Sequence, residues 1–211
     1  MLRHFREMSS IRLGETHPLK AVCQLLLESE DRGETSDRAI QQLCHSFQEY
    51  FGQGHFITFE ARLVRAICHI ERKEYLQAEV ELRQMQSTLE SNVGIRPPIY
   101  DRFHKDVLFY LSYALYHQAQ FLSARESIET LIDITKTGDF YCLIQSLQLV
   151  YIVLRAIGES LLAEEKIQEA IQMSKTLGDL PDYGIAIQMF RDFLIRQGRE
   201  HDAEQLPITI H

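Results

Sequence analysis

Apolar residues recur at three- and four-residue steps along most of this chain. Leu63, Ala66, Ile67 and Ile70 form one such stripe, and Leu108, Leu111, Leu115 and Ala119 form another. That spacing is the period of a helix with one buried face. No segment alternates apolar and polar residues for long, and no hairpin turn is flanked by such runs. The pattern predicts an all-α chain, with helices over 18–31, 36–51, 56–72, 75–91, 100–118, 121–136, 140–157, 160–177, 181–197 and 200–206.

The helices repeat. Ala39, Ala78, Ala124, Ala163 and Ala203 fall at intervals of 39, 46, 39 and 40 residues, each early in the second helix of a pair. The long interval contains Ser91-Asn92-Val93-Gly94-Ile95-Arg96-Pro97-Pro98, a loop-type insertion that accounts for the excess. Between the two helices of a unit lies a short break: Arg72-Lys73-Glu74, His117 to Gln120, Gly158-Glu159-Ser160 or Gly198-Arg199-Glu200. Small alanines let paired helices approach closely, and an aromatic three residues earlier (Tyr75, Phe121) packs across the turn. A pair of this kind cannot bury its stripe alone, so neighbouring units must stack. The expected organisation is an N-terminal extension over 1–17, a repeat domain over 18–206, and a tail over 207–211. The domain divides into units at about 18–54, 55–99, 100–138, 139–179 and 180–206.

These residues resemble the tetratricopeptide repeat family, which has a small residue late in the first helix, Gly near the turn, an aromatic after it and Ala early in the second helix. The matching residues are Ala66 with Tyr75 and Ala78, Ser112 with Phe121 and Ala124, Gly158 with Ala163, and Gly198 with Ala203. The period near 40 is similar to that of the longer repeats in signal-sensing domains of bacterial transcription activators. The resemblance implies a right-handed superhelical solenoid of about five antiparallel helix pairs, and a protein-binding role. Tyr151 and Arg191 stand where the family has a small residue, and Ser36, Ser160 and Glu200 replace the turn aromatic. The Lys and Asn clamp with which family members hold chaperone tails is absent at the matching positions.

Charge narrows the partners. The 22 Lys and Arg against 30 Asp and Glu give a net charge of -8 with no basic stripe, which disfavours direct nucleic-acid binding. No apolar run approaches the ~18 residues of a membrane helix. The N-terminal arginines Arg3, Arg6 and Arg12 are followed by no apolar region of a secretory signal. Cys23, Cys44, Cys68 and Cys142 are far apart and form no C-x-x-C pair, as expected of buried reduced thiols in a cytoplasmic protein.

Reactive chemistry is not visible. There is no H-E-x-x-H, phosphate loop or G-x-S-x-G, so no catalytic residue, metal site or cofactor is expected. Cys44-His45 and Cys68-His69 are adjacent pairs, and adjacent helical residues point about 100° apart. A cross-helix site from those four residues and His55 is conceivable on spacing; core cysteines and surface histidines are the simpler reading. Glu164-Glu165 reads as a solvated helix face.

In stacked helix pairs the first helices line the inner wall. Its residues are expected to include Leu63, Ile67 and Ile70 in the second unit, and Phe109, Tyr113, Tyr116 and His117 in the third. The fourth adds Gln145, Gln148 and Arg155, and the fifth Gln188, Asp192 and Arg196. An aromatic and apolar middle with later amides and arginines suits a peptide or protein segment with apolar anchors and an acidic group. The expected function is therefore a non-enzymatic interaction module acting as scaffold, regulator or assembly chaperone. Two alternatives stand beside it. One is a small-ligand sensor using Tyr113, Gln145, Gln148 and Arg155; the other is a structural subunit that forms a homodimer through an uncapped terminal repeat near Ile208-Thr209-Ile210.

Overall fold

The computed structural model describes residues 33–91, 98–136 and 138–207. Among these residues all regular structure is helical: α1 (Gly33–Phe51), α2 (Phe56–Glu71), α3 (Tyr75–Ser91), α4 (Pro98–His117), α5 (Phe121–Thr135), α6 (Phe140–Ala156), α7 (Ser160–Leu177), α8 (Leu180–Arg196) and α9 (Glu200–Glu204). Observed ends lie within a few residues of the expected ones. The expected helix over 18–31, the extension over 1–17, Cys23, the central part of the 91–98 loop and the Ile208–Ile210 edge lie outside the described residues, as does the side chain of Ala39. The chain divides into two compact units, one ending at Ala114 and the other beginning at Leu115.

The alanine register has a backbone cause. Five residues before each mark the chain turns left-handed, at Lys73 (φ 64°), Ala119 (φ 59°), Gly158 (φ 85°) and Gly198 (φ 72°). The next residue donates its N–H to a carbonyl five positions back: Glu74 to His69, Gln120 to Leu115, Glu159 to Leu154 and Arg199 to Leu194, at 2.8–3.0 Å. This is the Schellman closure that ends a helix on a left-handed residue. The carbonyl of that same residue then accepts from the marker alanine, starting the second helix: Ala78, Ala124, Ala163 and Ala203 donate at 2.9–3.1 Å. All four marker alanines are buried. The side chain is small because the two helices close on one another there.

In the first unit α2 packs against both α1 and α3. Ile40, Cys44 and Ala61 form a core cluster joined by Phe47 and Cys68. The other side of α2 meets α4. Phe59 stacks on Phe103 with ring centroids 5.4 Å apart, and Tyr100 meets both rings edge-on while its hydroxyl donates to the Gly54 carbonyl at 2.8 Å. Glu60 pairs with Arg102, whose guanidinium lies 4.8 Å from the Phe103 ring centre. With neighbours on both sides, every residue from Thr58 to Leu63 is buried.

The second unit repeats this logic: α5 packs on α6, α6 on α7, α7 on α8 and α8 on α9, and α6 also touches α8. Phe121 packs across its turn onto Tyr116, with centroids 5.8 Å apart. Asp139 and Asp179 cap α6 and α8 by accepting from the N–H groups of Cys142 and Asp182, which satisfies donors that a helix start leaves orphaned. Ser146, Ser174 and Thr135 are buried, and each returns its hydroxyl to a carbonyl four residues earlier, so the core carries them without unpaired polar atoms. At the end of the described chain, Arg191 donates to the carbonyls of Leu206 and Pro207, tying the tail to α8.

Successive repeats of this unit are stapled by ion pairs in one register. The residue after the marker alanine in one repeat meets the residue after the turn glycine in the next: Arg125 with Glu159 at 2.7 Å, and Glu164 with Arg199 at 2.8 Å. The order of charges reverses between the two staples.

Candidate functional site

The expected wall residues fall into three groups. Leu63, Ile70 and Gln148 are buried; the two aliphatic side chains fill the core of the first unit, and the Gln148 amide donates to the Asp182 carbonyl at 3.2 Å. These three serve packing. Ile67, Phe109, Tyr113, Tyr116, Gln145 and Arg155 are half-buried, and His117, Gln188, Asp192 and Arg196 are exposed.

In the second unit the structure gathers several of them around a residue that the sequence pattern marked only as a misfit. Tyr151 replaces a small residue on α6 and is 1% exposed. Its ring fills the space between α6 and α8, edge-on to Phe193 at 6.1 Å, and its hydroxyl donates to the Met189 carbonyl at 2.9 Å. Arg155, one helical turn further on, donates to the same hydroxyl at 3.1 Å. Its guanidinium carbon lies 5.5 Å from the Tyr151 ring centre and 6.0 Å from that of Phe193. Aromatic faces attract a cation in this geometry and restrict its motion.

Electrostatics places two α8 side chains beside this group. Burial raises the Tyr151 phenol pKa; the positive charges of Arg155 and Arg196 offset part of that, and Asp192 adds to it. Asp192 accepts from the Gln188 amide at 2.8 Å. Arg155 meets no carboxylate among the described residues. The result is an arginine held on two rings, with a second arginine and an amide–carboxylate pair close by. Chemically it suits a carboxylate, because a guanidinium binds one through paired N–H groups.

The cysteine–histidine pairs do not converge. Cys44 is buried, and His45 points outward to Glu49 at 3.2 Å. Cys68 packs on the Ile40 cluster, and the His69 ring meets Glu74 at 2.6 Å. His55 accepts from the Ile57 N–H at 3.3 Å, capping α2, and stacks on Phe51. Among the described residues no three His, Cys, Asp or Glu side chains are grouped to hold a metal ion, and Cys44, Cys68 and Cys142 are free thiols.

The fold itself has solved counterparts. A protein with nearly identical TPR-like repeats, described as a kinesin light chain of Podosopora anserina, superposes with a TM-score of 0.71 at 15% identity, over 90% of this chain and 92% of that one. A variant of it gives 0.73 at 14% identity, over 89% and 90%. BtubC from P. vanneervenii gives 0.63 at 11% identity, over 83% of this chain and 70% of that one. No family model matches the sequence, and no curated protein does. The chain therefore has a TPR-like helical-repeat fold, shared with these structures at 11–15% sequence identity. Among the described residues no helix is long and apolar enough to cross a membrane.

Proposed function

We propose that this protein is a non-enzymatic interaction module, and that the α6–α8 face of its second unit grips an acidic group on a protein or peptide partner. The observation that carries this reading is the Arg155 guanidinium, positioned over Tyr151 and Phe193 and unmatched by any carboxylate among the described residues. Arg196 adds a second positive charge, while Gln188 and Asp192 offer an amide and a carboxylate to a peptide backbone. Half-exposed Ile152 and exposed Ile195 give apolar contact beside the charged groups. A scaffold, regulatory or assembly-chaperone role in the cytoplasm is consistent with free thiols and an acidic chain that would repel nucleic acid.

The test is a peptide-library selection on the full chain, followed by affinity measurement on the enriched peptides. Acidic peptides with neighbouring apolar residues are expected. Arg155→Met and Arg196→Met should each weaken them by about tenfold, the loss of one charge-assisted contact, with the melting temperature unchanged. Equal affinity in both variants would overturn the reading. A melting temperature that collapses in Arg155→Met would instead assign the arginine to packing.

A further inference from the structure

The first unit holds a separate feature that the interaction face does not use. Between α1 and α3, floored by α2, lies an open cleft of about 810 Å³, within the size range of small-ligand sites. Its lining is polar. Five glutamines contribute, two of them Gln48 from α1 and Gln84 from α3, together with Thr88 and Ser87. Among the described residues, the charged side chains on it are Arg62 and Arg65, with His45 at the side, and no described Asp or Glu lines it.

From α3, buried Glu81 pairs with both arginines. Among the described residues, one carboxylate against two guanidinium groups leaves a surplus positive charge. The Arg62 side chain is 9% exposed, and its Nη2 also donates to the Gln84 side-chain oxygen at 3.2 Å. The Arg65 Nε is buried and has no hydrogen-bond partner among the described residues. A buried donor of this kind costs free energy until something accepts from it. Burial lowers the Arg62 pKa, and the neighbouring Cys44 thiol is pushed up by burial, more than the two arginines pull it down. Cys44 is thus a neutral wall, and it neutralises neither arginine.

We propose that this cleft binds a small anion, a carboxylate or phosphate, whose charge is met by Arg62 and Arg65 and whose remaining polar atoms are met by the glutamine amides. An amide offers both donor and acceptor, so a glutamine-lined wall suits a ligand with several oxygens. The Glu81 carboxylate holds the two guanidinium planes in place and leaves their outer N–H groups for the guest.

Calorimetric titration of the full chain at fixed ionic strength tests this, with succinate, inorganic phosphate and uncharged succinamide as probes. Saturable binding of succinate or phosphate with a Kd of about 1 mM or tighter is expected, with none for succinamide; whichever anion binds identifies the source of the charge. Backbone NMR shifts should cluster on α1, α2 and α3. Arg65→Gln removes the surplus charge and should weaken the anion by about tenfold or more. Should that variant misfold, Gln84→Glu decides: its site is exposed on α3, and the new carboxylate would occupy Arg62 and displace the guest. No saturable binding of either anion overturns the proposal. So does equal binding of succinamide, or undiminished binding by Gln84→Glu.

Discussion

Among the described residues, two of the four turns within helix pairs place a residue with a Cβ where the backbone is left-handed. Lys73 and Ala119 adopt φ values near +60°, a region that costs an L-residue roughly 1 kcal/mol relative to Gly. Lys73→Gly and Ala119→Gly should therefore each stabilise the protein by about that amount, less the entropy that Gly gains in the unfolded chain. Urea denaturation reads it as a raised midpoint. The converse holds at Gly158 and Gly198, where open space surrounds the missing Cβ but φ is again positive. Gly158→Ala and Gly198→Ala should lower the midpoint through backbone strain alone. Titration supplies a second residue-level test. Folding raises the pKa of the Cys44 thiol and the Tyr151 phenol, chiefly by burial. Above the ordinary thiol and phenol range, about 8.5 to 10, the unfolded chain has lost protons that the native state retains. Stability must then fall with rising pH. Tyr151→Phe should flatten the part of that loss above about pH 10, measured as melting temperature against pH.

Helices set the next scale. The marker alanines are buried where paired helices close, and a larger side chain there has nowhere to go. Ala163→Leu should cost about 1–3 kcal/mol by overpacking, whereas the same change at exposed Glu165 should be near neutral; chemical denaturation compares the two. Most of this scale was legible beforehand. The spacing of apolar residues and alanines located the helices to within a few residues, because each repeat must satisfy the same closure in the same register. The wall was less legible, for a physical reason. First helices touch neighbours on two sides, so α2 is buried continuously from Thr58 to Leu63, and apolar periodicity cannot tell which side faces outward. Leu63 and Ile70 were thus expected on the wall and fill the core. Tyr151 looked like a departure from the repeat pattern because its role depends on Phe193 and Met189, some forty residues away. Arg62, Arg65 and Glu81 sit on polar positions of two helices, and only folding shows that they meet.

For the molecule as a whole, the TPR-like architecture means that each repeat draws its stability from its neighbours. Loss should therefore spread from the ends. Within the second unit, α9 has five residues and contributes one described core side chain, Ala203. Hydrogen exchange should show α9 opening first, α8 next and α6 last, with Gly198→Ala speeding the first step and leaving α6 protected. Uniform exchange across these three helices would contradict that order.

The alternation of charge between the two staples has a bearing on how such a chain keeps its place during assembly and evolution. Arg125 meets Glu159 and Glu164 meets Arg199, so the repeat formed by α6 and α7 presents acid on both of its edges. Were that repeat skipped, Arg125 would confront Arg199, and two guanidinium groups would repel where the correct sequence of blocks attracts. The ladder thereby carries a simple parity check: a rung lost by deletion or bypassed by misdocking announces itself as a like-charge contact.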